Sequence, residues 1–195
     1  MTTFLPEQVA DAAAAILRGE IVAYPTETYY GFAVDALNSS ALDRLFALKG
    51  RGDNKASALV VSDLAMFAEL CAEVPPRAIA LAKAHWPGPL TLALPARVGL
   101  PPAIVNDGCV AARASSHPVA HALVSAVGRP ITATSANPAG AASVRRAADL
   151  LSLFPARGFH LLDGGETPGG APSTLVRVRG SGVEVLRPGP IKLTS

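Results

Sequence analysis

The residues of this chain that could do chemistry gather in loops that follow apolar runs. The first loop is Pro25-Thr26-Glu27-Thr28-Tyr29-Tyr30-Gly31, and further on come two cations, Lys49 and Arg51, at the exit of a helical segment. A second is Thr134-Ser135-Ala136-Asn137-Pro138-Ala139-Gly140, and a third spans residues 163–174, with paired glycines before Ser173 and Thr174. Arg113 closes an apolar run, and Arg187 stands before Pro188-Gly189. Hydroxyls, an amide and fixed cations of this kind hold anions: a guanidinium forks onto carboxylate or phosphate, and glycine lets backbone come close to a ligand. Each feature also has a plainer reading. Lys49 and Arg51 complement the negative end of a helix dipole, worth about 0.3 to 1 kcal/mol. Ser, Asn, Pro and Gly are ordinary turn residues, and a glycine-rich loop is most often a flexible turn. Ser143 either caps the helix that follows it or offers its hydroxyl to a ligand, and spacing does not separate the two.

The apolar pattern supplies elements to carry these loops. Residues 21–24 read as a buried strand, ended by Pro25, which donates no ladder hydrogen bond. Leu42, Leu45, Phe46 and Leu48 keep helical spacing behind a cap at Ser39 or Ser40, with Gly50 as the left-handed stop. Helices are also predicted over 7–17, from a Ser62 cap through Met66 and Leu70, from Pro75-Pro76 to Trp86, from His117-Pro118 to Val127, and around Ala147, Leu150 and Leu151. Strands are predicted at 58–61, 90–94, 109–113, 131–133 and 159–162, with a closing hairpin of 175–178 and 183–186. Trp86 reads as an aromatic plug of the core or a wall of a cleft. The alternation is that of an α/β fold, in which ligands sit at the rim beyond the strand ends.

Composition narrows the class. The chain has 195 residues, 50% of them hydrophobic and 16% charged, enough to bury a sizeable core. A formal net charge of +2 gives no argument for a nucleic-acid partner by itself. Cys71 and Cys109 have neither zinc spacing nor the density of a disulfide framework, which points to a reducing compartment. His117 and His121 are four apart but lack a third ligand. No apolar run reaches the ~18 residues of a membrane span, and the start has no basic leader, so a cytoplasmic protein without a membrane partner is expected. There is no P-loop, no dinucleotide fingerprint and no nucleophile elbow. No internal repeat or linker divides the chain, so a single domain over 1–195 is expected.

Taken in order, the motifs resemble the YrdC-like family, the L-threonylcarbamoyladenylate synthases that make the first intermediate of N6-threonylcarbamoyladenosine in tRNA. The matching pieces are Pro25-Thr26-Glu27-Thr28 with Tyr30-Gly31, the pair Lys49 and Arg51, and Trp86-Pro87-Gly88-Pro89-Leu90-Thr91. They continue through Arg113 before His117-Pro118, Ser135 with Asn137, Ser173-Thr174, and Leu186-Arg187-Pro188-Gly189. The resemblance implies a strongly twisted mixed sheet flanked by helices around a cationic concave cleft. It also implies a reaction in which L-threonine, bicarbonate and ATP give threonylcarbamoyl-AMP and pyrophosphate.

Carried over residue by residue, Lys49 and Arg51 would be catalytic, and Thr28, Arg113 and Ser173 would hold threonine. Arg51, Lys55, Ser135, Asn137, Ser143 and Arg187 would hold ATP. Mg2+ is expected with the triphosphate, without a dedicated metal site on the protein. A separate tRNA threonylcarbamoyl transferase is expected downstream, with direct tRNA binding weak or absent. The chain departs from the family after Arg51, where Gly52 stands in place of a usual proline, and at Val60, where some members carry histidine. Its end soon after Ile191 corresponds to the short type. The rival readings are an RNA-binding module on the same concavity and a carbamoyl-handling paralogue of the same fold.

Overall fold

The computed structural model describes residues 1–50, 56–156 and 158–193. Its strands are β1 (Thr3–Phe4), β2 (Val22–Tyr24), β3 (Gly31–Ala33), β4 (Leu59–Val61), β5 (Leu90–Pro95), β6 (Val105–Asn106), β7 (Cys109–Ala114), β8 (Ile131–Thr132), β9 (Thr134–Ser135), β10 (His160–Leu162), β11 (Thr174–Arg179) and β12 (Gly182–Arg187). The helices are α1 (Val9–Leu17), α2 (Ser39–Lys49), α3 (Leu64–Ala68), α4 (Pro76–His85), α5 (Pro118–Val127) and α6 (Ala147–Leu153). The expected α/β fold with mixed sheets and flanking helices is borne out, but as two sheets. One has the order β1-β10-β2-β3-β9; the other is β12-β11-β5-β7-β4-β8, with β6 beside β7. Among the described residues no helix is long and apolar enough to cross a membrane.

The two-residue period of a strand decides what each face covers. In β2, Val22 and Tyr24 join α1 and α5 in one apolar cluster, while Ala23 enters the other with α2 and α6 residues. In the larger sheet, Leu90, Leu92 and Leu94 of β5, Val110 and Ala112 of β7, and Val176 and Val178 of β11 all enter the second cluster. Burying each leucine contributes about 1.5 to 3 kcal/mol. The alternate residues Thr91, Ala93, Cys109, Ala111, Leu175 and Arg177 border open space instead. One face of this sheet is core, and the other, floored by small side chains, is concave.

Local chemistry corrects several expected caps. Asn38, not Ser39 or Ser40, caps α2: its side chain accepts from the Ala41 N–H at 3.1 Å, and Ser40 donates to it at 2.8 Å. Asp63, not Ser62, caps α3 by accepting from the Met66 N–H at 2.8 Å, while Ser62 contacts the Met66 sulfur. Asn, Asp and Ser are about equal as caps, and in each case the side chain that reaches the N–H of the third helical residue takes the place. Gly50 ends α2 with φ of 60°, as predicted. The expected helix over 7–17 begins as a short 3-10 turn, Pro6–Gln8, before α1.

The expected strand over 131–133 is the largest departure. β8 pairs with β4 in the larger sheet, and β9, only Ala133 later, pairs with β3 in the smaller one. The Ala133 N–H donates to the Ala58 carbonyl at 2.8 Å, which stitches the crossing. Trp86 takes the core role: its ring packs 5.9 Å from that of Phe67, and its Nε1 donates to the Leu90 carbonyl at 2.7 Å.

Candidate active site

Two adjoining cavities open where the sheets are stitched. The smaller, about 370 Å³, is lined by the loop after β2, by Arg113, by residues 133–135, and by Ser143, Pro172, Ser173 and Arg187. The larger, about 600 Å³, lies over the concave face of the seven-stranded sheet. They share a wall of Ala58, Thr91, Ala133, Thr134, Ser135 and Arg187.

The loop after β2 is fixed by its own threonine. Thr26 is buried; its hydroxyl donates to the Tyr29 carbonyl at 2.7 Å and accepts from the Thr28 and Tyr29 N–H groups at 3.2 and 3.3 Å. A hydroxyl that closes a turn on its own backbone is the usual work of threonine in such a loop. It turns Thr28 and Tyr29 into the smaller cavity. Gly31 follows because a Cβ there would meet the Thr134 carbonyl at 3.2 Å and the Tyr24 ring at 3.3 Å. Burial pushes the Tyr24 hydroxyl up to about 12, against the pull of Arg113, so it stays protonated and donates to the Thr132 carbonyl at 3.1 Å.

Arg113 enters the cavity from β7, largely buried, and is ion-paired with Glu27. The other oxygen of Glu27 accepts from the wholly buried Ser115 hydroxyl at 2.6 Å. Burial holds the Arg113 guanidinium below its ordinary value, with Arg187 adding to that and Tyr24 opposing it. It remains a cation at neutral pH, held on one side by a carboxylate from a different loop.

Arg187 lies at the end of β12, and burial also holds it below its ordinary value. Its Nε and Nη2 donate to the Ser173 carbonyl at 3.2 and 3.0 Å, and Nη2 reaches the Ser173 hydroxyl at 3.2 Å. The residues after it fold back on the start of β11. The Ile191 N–H donates to the Thr174 hydroxyl at 2.9 Å, and a Cβ on Gly189 would meet the Thr174 nitrogen at 2.4 Å. Glycine is required at 189 for that approach, which sets Arg187 against Ser173.

Ser143 does not cap α6, whose cap position is Arg146; it borders the smaller cavity instead. The glycine-rich loop is pinned beside it. The Thr167 N–H donates to the Arg145 carbonyl at 2.9 Å, and the Gly169 N–H donates to the Thr28 carbonyl at 2.7 Å. The Tyr30 hydroxyl lies 3.0 Å from Asp163 Oδ1 and 2.8 Å from the Gly165 carbonyl, and burial, then Asp163, raises its pKa.

The structure thus brings together Thr28, Arg113, Ser135, Ser143, Ser173 and Arg187 around one cavity. Lys49 and Asn137 border neither cavity. The Lys49 ammonium, 4% exposed, donates to the Ser135 carbonyl and, at 2.7 Å, to the Asn137 carbonyl. Asn137 donates to the Pro138 and Ala141 carbonyls at 2.9 and 2.7 Å. Both side chains hold the loop that presents Ser135. Arg51 and Lys55 lie outside the described residues. Sequence reasoning gave Thr91 no role and Thr134 none beyond its place in the second loop; the period of β5, which puts Thr91 between two core leucines, was the available signal for the first.

The family model for Sua5/YciO/YrdC, described as telomere recombination, matches residues 14–189. The chain belongs to the Sua5/YciO/YrdC family. Relatives in the family include a threonylcarbamoyl-AMP synthase of Bacillus subtilis, 36% identical over 186 residues, covering 94% of this chain and 54% of that protein. One of Halorhodospira halophila is 38% identical over 161 residues, covering 82% of this chain and 84% of that protein. The chain therefore spans about half the length of the Bacillus relative. The crystal structure of Pyrococcus abyssi Sua5 complexed with L-threonine superposes with a TM-score of 0.88 at 34% identity, over 96% of this chain and 57% of that one.

Proposed function

We propose that this chain is an L-threonylcarbamoyladenylate synthase, forming threonylcarbamoyl-AMP and pyrophosphate from L-threonine, bicarbonate and ATP. The observation that carries the reading is the convergence of Thr28, Arg113, Ser135, Ser143, Ser173 and Arg187 on one cavity that opens into a larger one. The synthase relatives and the threonine-bound Pyrococcus abyssi Sua5 support it.

The reaction places several anions side by side. The α-amino group of threonine adds to the carbon of bicarbonate, and water leaves to give a carbamate. A carbamate oxygen then attacks the α-phosphorus of ATP and pyrophosphate departs. Arg113 receives the threonine carboxylate with the edge that Glu27 leaves open, while Thr28 and Ser173 supply hydroxyls beside it. Arg187, Ser135 and Ser143, with Arg51 and Lys55, take the phosphates and nucleotide, making the cleft cationic where charge accumulates. Catalysis is then positioning and charge neutralisation by groups fixed before substrate arrives. Lys49 acts through the carbonyls of Ser135 and Asn137, keeping the Ser135 loop in place. Among the described residues no carboxylate lines either cavity, and no three His, Cys, Asp or Glu side chains cluster. These residues do not form a metal seat, and Mg2+ would ride on phosphate oxygens and water.

The test is pyrophosphate release from ATP with threonine or bicarbonate withheld. Release is expected to need both, and equal release without threonine overturns the reading. The adenylate is handed on, and a separate tRNA threonylcarbamoyl transferase completes the modification. The distinctive side chains are accounted for by threonine and ATP, and the net charge of +2 marks no surface for a large polyanion. Purified chain incubated with tRNA and all three substrates is expected to leave the adenosine unmodified. Accumulation of modified adenosine with no second protein refutes the handover.

A further inference from the structure

Thr91 has no role in the reading above, yet it sits at the centre of the site. Residues 91 and 175 are partners between β5 and β11, and Leu92 partners Ala112 between β5 and β7. Continuing that antiparallel register by one residue puts Thr91 across from Arg113. Its side chain therefore stands on the concave face between Arg113 and the start of β11, where Ser173 lies. It is 3% exposed and borders both cavities, whereas Ser173 borders only the smaller. Its hydroxyl oxygen is 2.7 Å from that of Ser173, its only hydrogen-bond partner among the described residues.

The direction that suits the neighbouring groups comes from counting donors. The Ser173 hydroxyl has one hydrogen and two acceptor lone pairs, and Arg187 Nη2, which can only donate, uses one of the lone pairs. Either hydroxyl could give the hydrogen of this bond; with Thr91 as the donor, its hydrogen takes the remaining lone pair of Ser173, the one protein acceptor it reaches among the described residues. A buried hydroxyl left without a partner would be costly. With both lone pairs taken, the Ser173 hydrogen is the part of that hydroxyl left to face the smaller cavity.

We infer that Thr91 is a positioning residue that fixes Ser173 as a hydrogen-bond donor toward an acceptor oxygen of the bound amino acid. The inference rests on the proposed function and deepens it by giving the polarity of one contact. Ser173 then selects for an acceptor such as a carboxylate or carbamate oxygen and presents nothing to a donor. Thr91 holds that polarity from the floor of the site.

The experiment is a double-mutant cycle of Thr91→Val and Ser173→Ala on the full chain, read as KM for L-threonine, KM for ATP, and L-threonine affinity by calorimetry. T91V is expected to weaken threonine binding about tenfold, the scale of one oriented hydrogen bond, with the KM for ATP moved about twofold or less. Thr91→Ser is expected to restore the parent value. In the S173A background T91V is expected to have no further effect, because Thr91 acts only through Ser173. Should T91V not fold, Thr91→Ala set against Thr91→Ser makes the same comparison. A parent chain that does not bind L-threonine overturns the functional reading, and this inference with it. A parent that binds while T91V binds equally well, or effects of T91V and S173A that simply add, overturns this inference alone.

Discussion

Arg113→Lys is expected to fold and yet lose about 10²-fold or more in kcat/KM for L-threonine, the scale of a lost transition-state donor. The lysine keeps a cation beside Glu27, so the buried carboxylate is not abandoned. It loses the planar fork that pairs with Glu27 and that, in the proposed function, takes the substrate carboxylate as well. Arg113→Ala is a harsher change. It leaves Glu27 with the Ser115 hydroxyl alone, and breaking a buried pair in this way costs about 3 to 5 kcal/mol of stability. Urea denaturation alongside pyrophosphate release separates the two effects. Parent-like turnover by a folded R113K removes Arg113 from the threonine site.

Arg187→Ala is expected to lower turnover about 10²-fold as well but, unlike Arg113→Ala, to change stability by only about 1 kcal/mol. Arg187 ends β12, an edge strand of mostly exposed residues. Water can replace its bonds to the Ser173 carbonyl once the side chain is gone. What is lost is a cation on the wall shared by the two cavities, together with one of the groups that fix Ser173. The loss is expected to be larger in kcat than in the KM for threonine, because charge builds at phosphorus as pyrophosphate leaves. A folded R187A with undiminished kcat would remove it from the phosphate site.

How much of this was legible in the sequence depends on how local the cause was. α2 was readable because Leu42 and Leu45 repeat at helical spacing and Gly50 supplies a left-handed stop. Proline opened α4 and α5 where expected, for the same kind of local reason. β3 was not readable: Gly31, Phe32 and Ala33 are too few to show a period, and its pairing with β2 and β9 is set by contacts distant in sequence. The strand expected at 131–133 and the loop expected from Thr134 are instead β8 and β9 on either side of Ala133; nothing in their composition marks Ala133 as the point where the chain changes sheets.

The site divides in the same way. Arg113, Ser173 and Arg187 stood out as polar groups at strand ends, and the structure places them on one cavity. Lys49 also stood out, but spacing along a helix does not reveal that its ammonium is spent on carbonyls of the Ser135 loop. The partner of Arg113 is Glu27, far away in sequence in the loop after β2, and only the meeting of the two sheets brings them together. Thr91 was hidden by its strand, where a single threonine among leucines reads as β-propensity until the face it occupies is known.

The central claim is a new bond between a carbamate oxygen and the α-phosphorus of ATP. Incubating the purified chain with ATP, L-threonine and ¹³C-labelled bicarbonate, and weighing the nucleotide products by mass spectrometry, reads that bond directly. The account predicts an adenylate carrying threonine and one labelled carbon, formed in step with pyrophosphate. Pyrophosphate accumulating with AMP alone from the first turnover, or no nucleotide bearing the label, would contradict it.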